Sequence, residues 1–160
     1  MYANSISDLL PMEKILEMSG LEFMQAIVAG SLPQPPIGET LNYQAHSAED
    51  GKVVFRGTPT FRQTNPMGTV HGGWYGTLLD SCMACSVMTK LPKGSAYTTL
   101  EFKVNILRSI PLGTEIDAIG TADHVGRSTG VAHGEIRGVT DGKLYATGST
   151  TCLVMKMDKS

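Results

Sequence analysis

Residues 73–89 are almost all apolar or small, and Asp80 is the only charged residue among them. A segment that is apolar on every side predicts a helix buried in the core, here from about residue 72 to residue 90. A buried carboxylate without a partner is strongly unfavourable. We therefore expect Asp80 to be hydrogen-bonded, to be neutral, or to serve a function.

The start of this predicted helix carries His71, Gly72 and Gly73. The first backbone N–H groups of a helix have no partner within it, and the helix dipole adds partial positive charge there. Both effects favour a developing negative charge. An oxyanion-binding backbone group together with a buried carboxylate is the minimum set of groups for acyl transfer or hydrolysis.

Alternating apolar and polar residues predict strands on both sides of the helix. In the strand that follows it, every second residue from Leu100 to Ile106 is apolar, with Thr99 expected on the opposite face. This pattern is typical of a half-buried antiparallel strand. The six predicted strands are residues 39–48, 52–58, 99–108, 115–124, 129–139 and 144–155.

One sheet of about six strands must bury one face, and the apolar helix can fill it. The last three strands are rich in glycine and alanine, and small residues let a sheet curl closely around a helix. The sequence therefore predicts an α+β fold with an antiparallel sheet wrapped around one long central helix. Apolar residues at helical spacing predict an N-terminal helical extension, with a break near Gly20. We assign residues 1–36 to this extension and its Pro-rich linker, and residues 37–160 to the main domain.

Composition and charge limit the classes of partner and the location that we expect for this protein. The net charge of −2 does not favour nucleic acid as a partner. No apolar run reaches the roughly 18 residues that a membrane span needs, and residues 1–8 lack the basic region of a signal peptide, so we expect a cytoplasmic protein.

Cys82 and Cys85 form a Cys-x-x-Cys pattern within the apolar helix, so they and Cys152 are expected to be buried small hydrophobes rather than redox or zinc ligands. No spacing typical of a metal site is present.

A family resemblance follows from one motif: Asn65-x-x-Gly68-x-x-His71-Gly72-Gly73, with Asp80 eight residues after Gly72. It resembles the hotdog-fold acyl-CoA thioesterases of the phenylacetic-acid-degradation (PaaI-like) type. Residues 98–108 resemble the strand that follows the central helix in that family, although Ser109 stands where the family has proline after the arginine. The resemblance covers about residues 37–156.

The resemblance implies catalytic roles for five residues. Asp80 would act as nucleophile or as general base on water, and the Gly72 N–H would bind the thioester oxygen. Asn65 would orient water or the thioester, while His71 would hold the loop and polarise the site. Thr99 aligns with a serine or threonine that hydrogen-bonds the catalytic carboxylate.

Each of these residues also has an interpretation that needs no catalytic role. Asn65 is a common turn former before proline, and His71 is suited to cap a helix or make a structural hydrogen bond. Thr99 has an ordinary strand propensity, and Gly72 permits close packing. Asp80 could be satisfied by a neighbouring hydroxyl such as that of Thr77 or Ser81.

Gly73 and Trp74 are candidate substrate-binding residues. Trp74, Tyr75, Met83 and Met88 could line an aromatic or medium-chain acyl pocket, although a stripe of methionines and aromatic residues is more often part of the core. The turn of Gly126, Arg127 and Ser128 lies, in related enzymes, near the nucleotide end of coenzyme A, and arginine is suited to bind phosphate.

The helix geometry bears on assembly. Gly72 and Asp80 are eight residues apart, or about 12 Å along a helix, so one thioester carbonyl cannot touch both on the same helix. Two antiparallel helices from two subunits would bring Gly72 of one chain to Asp80 of the other. The family likewise implies a homodimer or a dimer of dimers, that is, a homotetramer.

These observations predict hydrolysis of an acyl-CoA thioester, with no cofactor or metal, since coenzyme A is part of the substrate. Two alternatives remain open from the sequence. One is a hydratase or dehydratase of acyl thioesters on the same fold. The other is a non-catalytic acyl-CoA binding module.

Overall fold

The computed structural model describes residues 1–157, and over this part of the chain it contains four α-helices and six β-strands. The helices are α1 (Met12–Leu16), α2 (Gly20–Val28), α3 (Pro36–Leu41) and α4 (Gly72–Thr89). The strands are β1 (Tyr43–Glu49), β2 (Lys52–Gly57), β3 (Ser95–Ile106), β4 (Ile116–Val125), β5 (Thr129–Gly138) and β6 (Leu144–Lys156). None of these helices is long and apolar enough to cross a membrane.

The strands form one antiparallel sheet in the order β1-β2-β4-β5-β6-β3. Helix α4 lies across one face of the sheet and contacts all six strands. The α+β prediction of a sheet wrapped around one long helix, the hotdog arrangement, is confirmed. Helix α4 begins at the predicted residue and ends one residue before Lys90, which caps it.

A row of glycines brings the sheet close to α4. Gly120 of β4 pairs with Gly134 of β5, which pairs with Gly148 of β6. A Cβ added at Gly120 would lie 2.1 Å from the Cys82 carbonyl oxygen, and one at Gly134 would lie 2.7 Å from a side-chain carbon of Met83. Only glycine fits at such distances, so this row fixes how closely the helix lies on the sheet.

The N-terminal region is helical as predicted, and its helices α1 and α2 are separated just before Gly20. Ser19 caps α2, since its side chain accepts from the Glu22 N–H while the Glu22 carboxylate accepts from the Ser19 N–H. Met24 and Ile27 of α2 are buried in the same core cluster as α4. The extension therefore packs on the main core.

The prediction for residues 36–42 is wrong. We expected the Pro-rich segment to end all helix and a strand to start at residue 39, whereas Pro36 begins helix α3. Proline is favoured in the first turn of a helix, where its missing N–H has no role. The boundary that we placed between residues 36 and 37 falls inside this helix, and residues 158–160 of the proposed main domain lie outside the described residues.

Helix α4 is not buried on every side. Gly73 is exposed, and a stripe of residues at helical spacing is only half-buried. The half-buried members of this open stripe are Thr77, Asp80, Ser81, Cys85 and Met88. In a single chain, nothing covers this stripe completely.

Strand β3 departs from strict alternation. Thr99 lies opposite Cys152 and Glu101 opposite Thr151, so Leu100 is an extra residue that forms a bulge. The bulge places Thr99 on the same side as Phe102, which lies against Gly76 of α4. Our assignment of Thr99 to the opposite face is therefore wrong.

The prediction of a half-buried β3 also fails for a single chain. Leu100, Phe102 and Ile106 are 58%, 44% and 49% exposed. Strand β3 is at the edge of the sheet, and its second edge has no partner among residues 1–157. A long edge strand with exposed apolar side chains is a surface suited to pairing with another chain.

The glycine row yields a stability prediction. Gly120→Ala should lower the free energy of unfolding by about 1–3 kcal/mol or more, because the new methyl group meets the backbone of α4. Thr121→Ala, on the opposite face, is the control and should cost less than about 1 kcal/mol. Urea denaturation measures both, and equal small effects would contradict the close approach of sheet and helix.

Candidate active site

Asp80 lies midway along α4, on its open stripe, and is held by Thr99. The Thr99 hydroxyl donates to Asp80 Oδ1 at 3.0 Å. The hydroxyls of Thr77 and Ser81 do not perform this role, since the first donates to the Gly73 carbonyl and the second contacts the Tyr43 hydroxyl. Asp80 Oδ2 has no hydrogen-bond partner within residues 1–157, so one carboxylate oxygen is free to react.

The start of α4 offers one free backbone donor. His71 caps the helix, because its Nδ1 accepts from the Gly73 N–H at 2.9 Å. The Gly72 N–H has no partner among the described residues, and Gly72 is exposed. A Cβ added at Gly72 would meet only the Ile106 side chain, at 3.4 Å. Gly72 therefore presents an amide to solvent, at the positive end of a helix of 18 residues.

Asn65 shapes the loop before α4. Its Oδ1 accepts from the N–H groups of Met67 and Thr69, at 3.0 and 3.3 Å, and its Nδ2 donates to the Thr69 hydroxyl at 2.8 Å. The loop joins β2 to α4, and the His71 N–H donates to the Gln63 carbonyl at 2.8 Å. In a single chain, Asn65 therefore stabilises the loop as a turn former, and His71 caps the start of α4.

The structure brings Thr99 to Asp80 and places Gly72 elsewhere. Gly72 and Asp80 are separated by two turns of one rigid helix, about 12 Å. Each chain therefore carries two separate groups of candidate site residues, one at Gly72 and one at Asp80.

A cleft of about 280 Å³ opens beside the start of α4. Ile106, whose side chain touches the Gly72 position, lines it together with Thr69, Tyr75 and Arg108. Arg108 was not among the predicted site residues. The sequence placed Arg108 at the end of β3, but it did not show that this end of β3 lies beside the start of α4.

Trp74 is not on a surface that a substrate could reach, contrary to our expectation. It is 2% exposed, and its Nε1 donates to the Leu41 carbonyl at 2.8 Å. Tyr75 is buried beside it, and its hydroxyl accepts from the Ile110 N–H at 2.9 Å. These aromatic residues form the core, as the alternative interpretation describes, whereas Gly73 stays exposed beside Gly72.

The turn of Gly126, Arg127 and Ser128 joins β4 to β5. The Gly126 N–H donates to the Thr129 carbonyl at 2.7 Å, and Arg127 is exposed with no ion-pair partner among the described residues. Gly130, just after the turn, lies against Val87 of α4. The turn is therefore level with the C-terminal end of α4 and away from Asp80.

Cys85, five residues after Asp80 on α4, lies next to Tyr97 of β3. The Tyr97 hydroxyl is 3.8 Å from Cys85 Sγ. Burial raises the pKa of Cys85 to about 12 and raises that of Tyr97 well above its usual range. Cys82 is fully buried, and burial raises its pKa too. Within residues 1–157 the cysteines are free thiols, and no cluster of side chains could hold a metal ion.

Residues 67–145, which include α4 and β3, match a family model described as the thioesterase superfamily. Acyl-coenzyme A thioesterase 13 of Mus musculus is 27% identical over 105 residues, 66% of this chain and 74% of the mouse protein.

Solved structures share the fold. A phenylacetic acid degradation-related protein from Ralstonia eutropha is 28% identical, with a TM-score of 0.73 over 82% of this chain and 98% of its own. The Escherichia coli PaaI protein, from the phenylacetic acid degradation operon, is 21% identical and has a TM-score of 0.73 over 88% of this chain and 96% of its own. At that identity the likeness is one of fold.

The state of the cysteines yields a prediction. At pH 8 in the folded protein, Cys85 should react with a disulfide reagent at least about tenfold more slowly than a free thiol, because little thiolate forms. All three thiols should react after unfolding in urea. Cys82 and Cys152 are buried as expected, whereas Cys85 is only half-buried. Rapid labelling of Cys85, or formation of a Cys82–Cys85 disulfide in mild oxidant, would contradict the expectation that these cysteines have no redox role.

Proposed function

We propose that this chain is a member of the thioesterase superfamily and hydrolyses acyl-CoA thioesters to a free acid and coenzyme A. The observation that carries the proposal is the Asp80 carboxylate on the open stripe of α4, with one oxygen held by Thr99 and the other free. The family match favours hydrolysis over the two alternatives considered from the sequence, a hydratase or dehydratase and a non-catalytic binding module.

Asp80 supplies the reacting carboxylate. As a general base, it takes a proton from water while the water oxygen bonds to the thioester carbon. As a nucleophile, its free oxygen bonds to that carbon, and water then hydrolyses the mixed anhydride. In both routes the carbon–sulfur bond breaks, coenzyme A leaves as the thiolate and takes up a proton, and Thr99 keeps the carboxylate oriented.

The Gly72 N–H stabilises the charge that develops on the thioester oxygen. It is a free donor at a helix start, and a preorganised donor of this kind is worth about 10²–10³ in rate in other acyl-transfer enzymes. Asn65 and His71 support it indirectly, since they fix the loop and the first turn of α4 that aim this amide.

The site is completed by a second copy of the chain. The incompletely covered stripe of α4 lies beside the unpaired edge of β3, where Leu100, Phe102 and Ile106 are exposed, which supports a homodimer across a twofold axis. In this arrangement the two α4 helices are antiparallel, and Gly72 of one protomer faces Asp80 of the other. Two such dimers would form a homotetramer.

Coenzyme A enters as part of the substrate, and the proposed reaction needs no metal or further cofactor. Arg127 is our candidate for its phosphate groups. The guanidinium is exposed, has no ion-pair partner within residues 1–157 and lies in a turn with Gly126 and Ser128. Arginine binds phosphate through paired N–H donors.

The role of Asp80 is testable by substitution. Asp80→Asn should lower kcat for acyl-CoA hydrolysis by at least about 10²-fold, since the amide can neither take the proton nor form the anhydride. Asp50→Asn, an exposed carboxylate paired with Lys90 on the surface, is the matched control and should keep its activity. Thiol release measures the rate and circular dichroism checks the fold. Asp80→Asn with near-normal kcat would remove Asp80 from the mechanism.

Subunit mixing tests the shared site. Gly72→Leu should be folded, because a Cβ at this position meets only the Ile106 side chain at 3.4 Å, and inactive, because the side chain crowds the approach of the thioester oxygen to the N–H. After equal mixing and exchange with Asp80→Asn, half of the dimers are mixed and one site in each carries neither change. Activity should therefore rise from near zero to about one quarter of that of the unmodified protein. Exchange shown by mass spectrometry without recovered activity would show that the shared-site arrangement is wrong.

A further inference from the structure

Ser81 differs from the other serine and threonine residues of α4 in the partner of its hydroxyl. The hydroxyls of Thr77, Ser86 and Thr89 each donate to a backbone carbonyl of α4 itself. This is a common arrangement for a hydroxyl within a helix. Ser81 makes no such bond, and its one hydrogen-bond partner within residues 1–157 is the Tyr43 hydroxyl at 3.1 Å.

Burial decides which of these two hydroxyls is the donor. Tyr43, at the start of β1, is 3% exposed, and its ring packs edge-on against Phe55. If Ser81 donated, the hydrogen of the Tyr43 hydroxyl would be buried without an acceptor, which is unfavourable. Tyr43 therefore donates to Ser81 Oγ. Burial also raises the pKa of Tyr43, so the hydroxyl keeps this hydrogen at neutral pH.

The Ser81 hydroxyl consequently keeps its own hydrogen for another partner. That hydrogen has no acceptor within residues 1–157, and the Ser81 side chain is half-buried on the open stripe, where another molecule can reach it. A hydroxyl that accepts one hydrogen bond is also a stronger donor in the next. Ser81 thus offers a polarised donor on the part of α4 that a single chain leaves uncovered.

This donor lies beside the free oxygen of Asp80. The two residues are consecutive on α4, so their side chains point about 100° apart and do not bond to each other. Asp80 is held towards β3 by Thr99, and Ser81 is held towards β1 by Tyr43. Strands β1 and β3 are the two edges of the sheet. An acceptor and a donor therefore lie side by side on the helix surface between these edges.

We propose that Ser81 binds the water that attacks the thioester, and that Tyr43 is the residue that positions Ser81. The proposal rests on the hydrolysis proposed above and assigns Asp80 the role of general base. The water donates one hydrogen to Asp80 Oδ2 and accepts the Ser81 hydrogen, which leaves its second lone pair for the thioester carbon. Asp80 takes the proton as the oxygen–carbon bond forms. The carbon–sulfur bond then breaks, its electron pair leaves on sulfur, and the sulfur takes up the proton that Asp80 received.

Substitution of Ser81 tests this role. Ser81→Ala should lower kcat for butyryl-CoA at least about tenfold, because a displaced nucleophile reacts slowly. KM should stay within about threefold, since other groups bind the thioester. Ser81→Thr restores a hydroxyl at the same position and should recover most of the lost kcat.

Tyr43→Phe tests the positioning residue. It removes the hydrogen that fixes Ser81 and should lower kcat about threefold to tenfold. Tyr2→Phe is the matched control, since it removes the hydrogen bond from the Tyr2 hydroxyl to the Tyr43 carbonyl, at 2.8 Å, and leaves the Tyr43 hydroxyl intact. Its kcat should stay within about twofold.

Added methanol separates a role in water binding from a structural role. Methanol competes with water for the same position, and its methyl group fits where Ser81→Ala lacks the hydroxyl oxygen. The ratio of methyl ester to free acid, measured by mass spectrometry, should therefore rise at least about threefold in Ser81→Ala. A merely distorted site would lower both products alike. An unchanged ratio, or near-normal kcat in Ser81→Ala, would overturn the proposal.

A crystal structure of the unmodified protein gives a measurement that does not depend on the variants. A water should lie within about 2.5–3.2 Å of both Asp80 Oδ2 and Ser81 Oγ. Its absence would overturn the proposal, even if Ser81→Ala does not fold. If Ser81→Ala keeps full activity while Asp80→Asn loses it, water binding by Ser81 fails and hydrolysis by Asp80 stands. If the unmodified protein hydrolyses no acyl-CoA, the proposed function fails first.

Discussion

The contact between α4 and the glycine row of the sheet determines the position of every other group in the site. Gly120 and Gly134 bring the sheet backbone against Cys82 and Met83, so α4 can neither shift nor rotate without a steric clash. Asp80 is two residues before Cys82, and its direction is fixed by the same packing. The helix thus presents a carboxylate, and at its start a free amide, from one rigid element.

Rigidity also separates these two groups. Because Gly72 and Asp80 lie about 12 Å apart on one helix, no local motion can bring both to one carbonyl. In the proposed mechanism, a complete site therefore needs Asp80 of one chain and the Gly72 N–H of a second copy. The open stripe of α4 and the exposed apolar side chains of β3 are where such a copy would bind, and the β3 bulge is the local irregularity that aims Thr99 at Asp80.

The sequence predicted α4, the six strands and the closeness of sheet and helix, because these follow from apolar periodicity and small residues. It did not predict the bulge at Leu100. Apolar and polar residues still alternate in the sequence of β3, although the inserted residue moves Thr99 to the face that carries Phe102. It missed α3 because proline both ends and begins helices. The motif selected Asp80 and Gly72 as candidates, but the core position of Trp74 depends on α3, whose Leu41 accepts its indole N–H.

The division of one site between two chains is most directly tested by a crystal structure of Asp80→Asn with an acyl-CoA bound. If the site is shared, the thioester oxygen lies about 2.7–3.1 Å from the Gly72 nitrogen of one protomer. The carbonyl carbon should then lie beside residue 80 of the other protomer. A thioester held by Gly72 and residue 80 of the same chain, or bound away from both, would contradict it.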